Sequence, residues 1–460
     1  MANGKRSENM KDGSKKVRHG RAKRLAKKAK AAAKASQHAA KQRTKRLAKI
    51  SKATAKENAK IAAKSAKEAA IKARDEAHKQ LTRKDYYSRL IVVFAAIIVV
   101  LVVFNIFKPD TDFSAEENRV MATKPDLTSA SFFEGRFGPE YETYINDQFP
   151  LRNVWIRLKT TADVLTGKVE SNGVYRGRDG YLMEEFKRPT EKKTRRIAKL
   201  FTDFAKSHKG VDTYLFTVPT AVNILSNKLP ANTDDGGQNE FMDDVYKAVK
   251  KGGVKTIDAR ETYNDKKKKA QLYYHSDHHW TSTGAYYGFL AAADAMGLTV
   301  NTDNYKPSVV KDDFKGMLAA KSGFYMCSKD NIEVYFPSDD TPVSVITYVD
   351  DQKKSASFYK AANLEEKDAY TVFTGGNHSL IKIKSAAENT DNLLIIKDSY
   401  ANCFIPFIAP YYRNVIVVDP RYYFNDLNKL IKSEDITDVL FLYNANTLAT
   451  DSALKTMLTY

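Results

Sequence analysis

The chain has 460 residues, a formal net charge of +20 and two cysteines. Residues 1–89 contain 29 Lys and Arg against 7 Asp and Glu, a net of +22, whereas the remaining residues contain 46 against 48, a net of −2. This distribution excludes a generally basic protein, and two cysteines in so long a near-neutral part exclude a disulfide scaffold. Cys327 and Cys403 could form one disulfide or remain separate thiols.

Residues 1–89 are a Lys/Ala-rich arm for which we predict a helical or disordered state. Ala, Lys, Arg and Gln favour helix, but the arm has too few apolar residues to bury a helix face. Three roles suit it: attraction to anionic lipid, salt-sensitive binding of nucleic-acid phosphates, or service as a solvated spacer and topology signal. No aromatic residue precedes Tyr86, so the arm lacks a platform for stacking bases.

An uncharged apolar run, LIVVFAAIIVVLVVFNIF, occupies residues 90–107. As a helix it would extend ~27 Å, close to the roughly 30 Å of a hydrocarbon core, which predicts a transmembrane helix rather than a core helix or a signal peptide. Basic residues precede the run, and the segment after it is acidic on balance. The positive-inside tendency therefore predicts a cytoplasmic arm, a single membrane pass, a linker at 108–116 and an extracytoplasmic domain at 117–460.

The predicted domain alternates helical patterns with short β-branched runs such as NLLIIKD, NVIVVDP and DVLFLYN. Buried strands alternating with helices indicate an α/β three-layer domain with a mostly parallel sheet. Residues 305–390 interrupt this rhythm with polar strand and turn signals, which predict a β insertion. Near the start of the domain, Asp179-Gly180 between two apolar runs predicts a hairpin.

Two segments of the domain offer chemistry. YYHSDHHW, residues 273–280, contains three of the eight histidines, and LLIIKDSY, residues 393–400, places Ser399 at a strand-to-helix turn. At such a turn a serine hydroxyl is exposed and backbone N–H groups can stabilise an oxyanion. A serine nucleophile needs a base and the base an orienting acid, roles that His279 and Asp277 can fill. Two residues apart in extended backbone, these two side chains would face the same way.

Other interpretations of both segments stay open. His275, Asp277, His278 and His279 are all competent metal ligands, although adjacent histidines do not readily converge on one ion. The same cluster could be a polar knot that only stabilises a loop. An Asp-Ser pair after a strand is also typical of a helix cap.

Several motifs, in their order along the chain, resemble the DHHW family, named for the motif at 277–280, and the alginate O-acetyltransferases of the AlgJ/AlgX kind. The resemblance extends from about Glu117 to the C-terminus and rests on ENRVMATKPDL, YINDQFPLR, VYRGRDGYL, SDHHW and KDSYANCFIPFIAPYYRNVIVVDPRYY. It implies an SGNH-hydrolase-like domain with catalytic Ser399, His279 and Asp277. Lys397 stands where SGNH hydrolases have the glycine of Gly-Asp-Ser. Further candidates for oxyanion or substrate contacts are Tyr400, Asn377, Gly376, Trp280 and Arg176.

The combined prediction is a membrane-anchored O-acyltransferase that modifies a cell-envelope polysaccharide, most simply by acetylation, through an acyl-enzyme on Ser399. No metal or other cofactor is expected. The resemblance also implies a partner, a membrane-bound O-acyltransferase that exports acyl groups. The alternatives are a carbohydrate esterase with the same three residues and a non-catalytic protein that binds envelope glycans.

Overall fold

The computed structural model describes residues 64–74, 83–114, 119–324, 326–337 and 343–459. Most of the basic arm predicted at 1–89 lies outside these ranges, as do residues 115–118, which span the end of the predicted linker and the start of the predicted domain. The chain divides into two compact units, Met1–Ile106 and Phe107–Tyr460.

The described part of the first unit is helical. Helix α1 comprises residues 64–74 and α2 comprises Arg83–Phe107. Within α2, the stretch Asp85–Phe107 is long and apolar enough to cross a membrane, and none of its most apolar window is buried. This stretch includes the apolar run at 90–107; its membrane location and orientation stay predictions.

The second unit contains the helices and strands that build the site. Its helices are α3 (Ser129–Phe133), α4 (Phe137–Gln148), α5 (Arg152–Leu165), α6 (Glu191–Ser207), α7 (Ala221–Ile224), α8 (Gln238–Lys250), α9 (Arg260–Lys266), α10 (Ser282–Met296), α11 (Met317–Ser322), α12 (Ile405–Ile408), α13 (Leu427–Ser433), α14 (Ala445–Thr450) and α15 (Ala453–Thr459). Its strands are β1 (Phe113–Ser114), β2 (Arg119–Val120), β3 (Glu170–Ser171), β4 (Val174–Arg176), β5 (Leu182–Glu184), β6 (Asp212–Val218), β7 (Lys255–Ile257), β8 (Tyr305–Phe314), β9 (Asp330–Pro337), β10 (Ser344–Tyr348), β11 (Lys353–Ser355), β12 (Leu380–Ser385), β13 (Asn392–Lys397), β14 (Asn414–Val418) and β15 (Asp438–Asn444).

An eight-stranded sheet forms the centre of this unit, in the order β11-β10-β12-β14-β13-β15-β6-β7. The strands from β14 to β7 pair in parallel, and β12, β10 and β11 extend the sheet antiparallel. In β13, the four consecutive residues from Leu393 to Ile396 are fully buried. Because successive side chains of a strand point to opposite faces, both faces of the sheet are covered. The predicted α/β class with a mostly parallel sheet is confirmed.

Helix α6 illustrates how the covering layers form. Thr190 caps its first turn by accepting from the Lys193 N–H. Ile197, Phe201 and Phe204 follow at helical spacing and are buried. Their common face packs on the core, because apolar residues three and four positions apart share one side of a helix.

The strands of the predicted β region, residues 305–390, divide between two sheets, and the predicted hairpin forms nearer the start of the domain. Strands β8 and β9 pair with each other as a separate antiparallel sheet, whereas β10, β11 and β12 belong to the central one. Strands β4 and β5 form the predicted hairpin around Asp179-Gly180, where both residues have positive φ. Cys327 and Cys403 are free thiols, so they do not pair.

Candidate active site

A cavity of about 630 Å³ lies at the carboxyl ends of β13, β14 and β15. In open α/β sheets, this edge is where ligands bind. Its polar lining includes Arg152, Glu184, His278, His279, Lys321, Asp368, Asn377, Ser399, Asn402, Arg421 and Asn444. A larger cavity of about 810 Å³ shares Arg421 but is lined by neither Ser399 nor His279. The smaller cavity is therefore the one that contains the predicted chemistry.

Ser399 begins the 3₁₀ turn that directly follows β13. The preceding Asp398 caps this turn, because one carboxylate oxygen accepts from the Tyr400 N–H at 2.9 Å. The other oxygen accepts from the Asn444 backbone N–H at 2.8 Å and from its side-chain amide at 2.7 Å. Asp398 therefore has a capping role, and the cap ties the serine to the end of the neighbouring strand.

The structure brings the three predicted catalytic residues together. The Nε2 atom of His279 lies 2.8 Å from Ser399 Oγ, although the residues are 120 positions apart. The Nδ1 atom of His279 lies 2.6 Å from Asp277 Oδ1. A carboxylate at Nδ1 places the proton of a neutral imidazole there, which leaves Nε2 free to accept from the serine hydroxyl. The ring also stacks on Tyr370, with centroids 3.8 Å apart.

The backbone of the histidine segment differs from the extended geometry expected for it. Residues 275–279 form bends, closed by an antiparallel bridge between Tyr273 and Trp280. Asp277 Oδ1 accepts from both the backbone N–H of His279, at 2.9 Å, and its ring. The expectation of extended backbone is wrong here, because an aspartate that bonds the N–H two residues ahead folds the chain into a turn.

Asp330, which sequence reasoning missed, holds this turn in place. Its buried carboxylate accepts from the Gln271 side chain, from the backbone N–H groups of His275 and Ser276, and from the Ser276 hydroxyl, at 2.8 to 3.0 Å. His275 Nδ1 lies 2.7 Å from the same carboxylate. His275 therefore anchors the turn and is absent from the cavity lining. Asp330 stands in β9, where no sequence motif marks it.

Gly316 permits the close approach that positions Asp277. A Cβ atom at this glycine would lie 2.2 Å from the Cβ of Asp277, a separation that real Cβ atoms do not show. The next residue, Met317, donates its backbone N–H to Asp277 Oδ2 at 2.8 Å. Both carboxylate oxygens of Asp277 are thus engaged, which fixes the carboxylate relative to His279.

The burial and charges of the site favour a neutral base. Burial and the neighbouring His278 lower the pKa of the His279 imidazole to about 4, with Asp277 acting in the opposite direction. Burial would raise the pKa of the Asp277 carboxyl, but His278, His279 and the Met317 N–H together hold that pKa well below its usual range. At neutral pH, an ionised Asp277 therefore faces an uncharged His279 that can accept a proton.

A possible metal cluster coincides with these residues. Ligand atoms of Asp277, His278 and His279 lie within 4.8 Å of one another. Both ring nitrogens of His279 already bind other side chains, so an ion would have to displace His279 from Ser399 or Asp277. His275, the fourth candidate ligand, is instead bonded to Asp330. The carboxylate and imidazole groups are of the types that bind metals, but the hydrogen bonds of His279 to Asp277 and Ser399 are those of a proton relay.

A buried lysine orients one amide of the cavity wall, and a second amide bonds to the first. Lys397 Nζ donates to Asn377 Oδ1 at 2.9 Å and to Asp419 Oδ2 at 3.2 Å. Because lysine only donates, Asn377 must present its oxygen to it and direct its NH₂ group elsewhere. Asn402 donates to the same oxygen at 3.2 Å, which leaves Asn402 Oδ1 buried with no hydrogen-bond partner in the described chain. Burial lowers the pKa of Lys397, while the nearby Asp419 acts to raise it.

The remaining predicted site residues divide into two groups. Gly376 and Asn377 line the cavity. Trp280 and Tyr400 are buried outside its lining, where the indole N–H donates to the Tyr400 carbonyl at 2.9 Å and the Tyr400 hydroxyl donates to the His278 carbonyl. Arg176 is exposed on β4 and is likewise absent from the lining.

Several cavity residues were not predicted, although some lie inside motifs that were quoted. Asn402 and Arg421 belong to the segment that begins KDSYANCF, and Arg152 ends YINDQFPLR. The quoted motifs therefore included these cavity residues. Nothing in their spacing separates the residues that face the cavity from their neighbours.

Residues 174–363 match the family model described as the SGNH hydrolase-like domain of the acetyltransferase AlgX. The second unit has an SGNH hydrolase-like fold. Strands β13 to β15, which bring Ser399 and Asn444 to the cavity, lie beyond the matched segment and complete the sheet of this domain. The predicted resemblance to the DHHW and AlgJ/AlgX proteins is confirmed.

Two solved structures share this fold, and a third is more distantly similar. A DHHW family protein from Eubacterium siraeum has a TM-score of 0.52 and 24% identity, over 63% of this chain and 96% of that protein. PatB1 of Bacillus cereus, in a structure with a sulfonyl adduct, has a TM-score of 0.53 and 20% identity, over 60% of this chain and 96% of PatB1. The O-acetyltransferase domain of Pseudomonas putida AlgJ has a TM-score of 0.41 at 16% identity, over 62% and 95%. No curated protein gives a significant sequence match.

Proposed function

We propose that the protein is a membrane-anchored O-acyltransferase that modifies a cell-envelope polysaccharide through an acyl-enzyme on Ser399. The observation that carries this proposal is the continuous hydrogen-bond chain from Ser399 through His279 to Asp277 at the rim of a cavity. The match of residues 174–363 to an acetyltransferase model supports acyl transfer as the reaction class.

In the first half-reaction, Ser399 Oγ attacks the carbonyl carbon of an acyl donor while its proton moves to His279 Nε2. The tetrahedral intermediate collapses when His279 returns that proton to the leaving group, and an acyl ester on Ser399 remains. In the second half-reaction, a sugar hydroxyl gives its proton to His279 and attacks this ester. Ser399 leaves and recovers the proton. Asp277 stabilises the imidazolium in both steps and holds the productive tautomer.

Two donors are assigned to the oxyanion that develops on the carbonyl oxygen. One is the backbone N–H of Ser399, since the Tyr400 N–H is already bonded to Asp398. The other is the NH₂ group of Asn377, which Lys397 directs away from itself. Preorganised donors of this kind stabilise the transition state by roughly 3 kcal/mol each.

The cavity wall suits a hydroxyl-rich acceptor. It combines amides with charged groups of both signs, among them Arg152, Lys321, Glu184 and Asp368. Such a mixed wall can donate to and accept from sugar hydroxyls. The apolar helix α2 would hold the domain at the membrane, where a membrane-bound O-acyltransferase partner would deliver acyl groups and the basic arm would meet anionic lipid on the other side.

An esterase remains the second candidate because Ser399 is partly exposed. Water could then reach the acyl-enzyme and compete with the sugar hydroxyl. The two functions differ only in the molecule that takes the acyl group from Ser399, which is a sugar hydroxyl in the transferase and water in the esterase.

The test is intact-mass analysis of the full chain in detergent at short times with p-nitrophenyl acetate. We expect an acetyl adduct of about +42 Da that is absent from Ser399→Ala and His279→Ala, present in the control Ser357→Ala, and insensitive to a chelator. Oligosaccharides that remove the adduct and become acetylated would indicate a transferase, whereas release of acetate alone would indicate an esterase. An adduct that persists in Ser399→Ala would refute the proposed nucleophile, and loss of activity with chelator would favour a metal.

A further inference from the structure

Helix α5 carries an exposed apolar face. Val154, Trp155, Leu158 and Leu165 are 55%, 45%, 59% and 83% exposed. At about 100° per residue, these four side chains fall within an arc of about 100° on one side of the helix. The chain before α5 has further exposed apolar side chains, namely Leu127, Phe132, Phe133 and Leu151.

The opposite side of α5 is fixed to the domain. Thr160 is buried, and Val164 packs against the small core cluster that includes Leu318 of α11. Arg152 and Ile156, on the inner side, line the cavity of Ser399. The outward face is therefore held in a defined direction, and its exposure does not result from a loosely attached helix.

Exposure of this kind is not general in the domain. Helix α6 is longer, yet its large apolar residues are buried, apart from the half-buried Leu200. It contributes none of the large exposed apolar side chains in the described chain. Four such side chains on α5 leave a contiguous apolar stripe in water, which is unfavourable unless another surface covers it.

Charge and chain position favour lipid as the covering surface. Helix α5 contains three basic residues and one acidic residue. Arg152 faces the cavity, whereas Arg157 and Lys159 lie at the flanks of the stripe, where Lys159 pairs with the acidic Asp163 at 2.9 Å. A basic helix with tryptophan on its apolar face is typical of helices that lie in the interfacial layer of a membrane. Helix α5 also belongs to the part of the chain that follows α2, the apolar helix that the proposed function places in the bilayer, with β1, β2, α3 and α4 between them.

We infer that α5 lies on the lipid surface, with Val154, Trp155, Leu158 and Leu165 in the interfacial layer and the cavity on the other side of the helix. This inference rests on the membrane anchoring in the proposed function. It adds a second contact with the membrane, made by the SGNH-like domain itself.

The two tryptophans of the chain make this testable. Trp155 is half-exposed on the stripe, whereas Trp280 is fully buried. The full chain would be reconstituted into vesicles of phosphatidylcholine and phosphatidylglycerol with brominated acyl chains, and iodide would be added to the water. We expect bromine to quench tryptophan emission at least about twofold more than in Trp155→Phe, with little quenching by iodide, because the ring is in the interface.

A second variant separates lipid contact from folding. Leu158→Glu places a charge on the stripe and should abolish quenching by bromine, whereas Ala295→Glu, at an exposed position of α10, should not. Iodide quenching of Trp155 without bromine quenching would overturn the inference. Protection seen in native membranes but absent from lipid-only vesicles would assign the stripe to a protein partner instead. Failure of the chain to float with vesicles would refute the anchoring as well.

Discussion

Ser399 and His279 reach one cavity from two differently built regions. Ser399 follows β13, a strand buried at the centre of the sheet, and Asp398 caps the turn that presents it. His279 stands in a turn without regular structure, which Asp330 holds in place. The serine is thus positioned by backbone topology and the histidine by side-chain hydrogen bonds. We expect the two regions to respond alike when the chemistry is removed and differently when their supports are removed.

The largest expected effect is common to both regions. Ser399→Ala and His279→Ala should each lower kcat/KM for p-nitrophenyl acetate by at least about 10⁴-fold, because either loss disables the same proton transfer. The double variant should be little worse than either single one. Circular dichroism would check that the fold is intact, and a residual activity within tenfold of the parent would exclude the proposed pair.

Removal of the support for the histidine region should affect activity and stability together. Asp330→Ala leaves several buried donors without an acceptor and should lower the free energy of unfolding by about 3 kcal/mol. It should also reduce kcat by about 100-fold, since a small displacement of the base disrupts the reacting geometry. Urea denaturation and steady-state rates measure the two effects. Asp313→Ala, at an exposed position of β8, is the control, and an Asp330→Ala enzyme with normal kcat would contradict the anchoring role.

Release of the amide that serves the serine region as oxyanion donor should be milder. Lys397→Met frees the Asn377 amide to rotate and should lower kcat by about tenfold to 100-fold with little change in KM, because an oxyanion donor acts mainly in the transition state. The variant Lys384→Met, exposed on β12, should behave as the parent. A change confined to KM would indicate that Asn377 binds the substrate in its ground state instead.

The smallest expected effect is the pH dependence of kcat/KM near neutral pH, which reports the protonation of His279. Its pKa of about 4 predicts that kcat/KM stays level from pH 7 to about pH 5 and falls as pH drops through 4, since only the neutral base accepts a proton. The folded pKa lies below that of an unfolded histidine, so the neutral ring stabilises the fold above about pH 6.5, and this contribution is lost as pH falls toward 4. A decrease of kcat/KM that already begins near pH 6.5 would contradict the lowering of the His279 pKa by burial.

The same contrast explains which features could be predicted from the sequence. The apolar run of β13 followed by Asp-Ser indicates a buried strand and an exposed turn, so Ser399 could be placed at the correct edge. Asp277 and His279 could be selected by residue type, but their turn depends on Asp330, Gly316 and Met317, which are 37 to 55 residues away along the chain. Trp280 was expected beside the cavity. Its burial follows from packing against Tyr400, which no local pattern reveals.

Helix α5 has a consequence for where the proposed acyl transfer would take place. Its outward stripe and its cavity-lining residues, Arg152 and Ile156, are separated only by the thickness of a helix, about 10 Å. If the stripe lies on lipid, Ser399 would stand in a thin layer at the bilayer surface, out of reach of polysaccharide farther away. Under the proposed function, a polysaccharide would then be acylated only while it passes this layer, so the spacing of acyl groups would record the ratio of the acylation rate to the rate of passage.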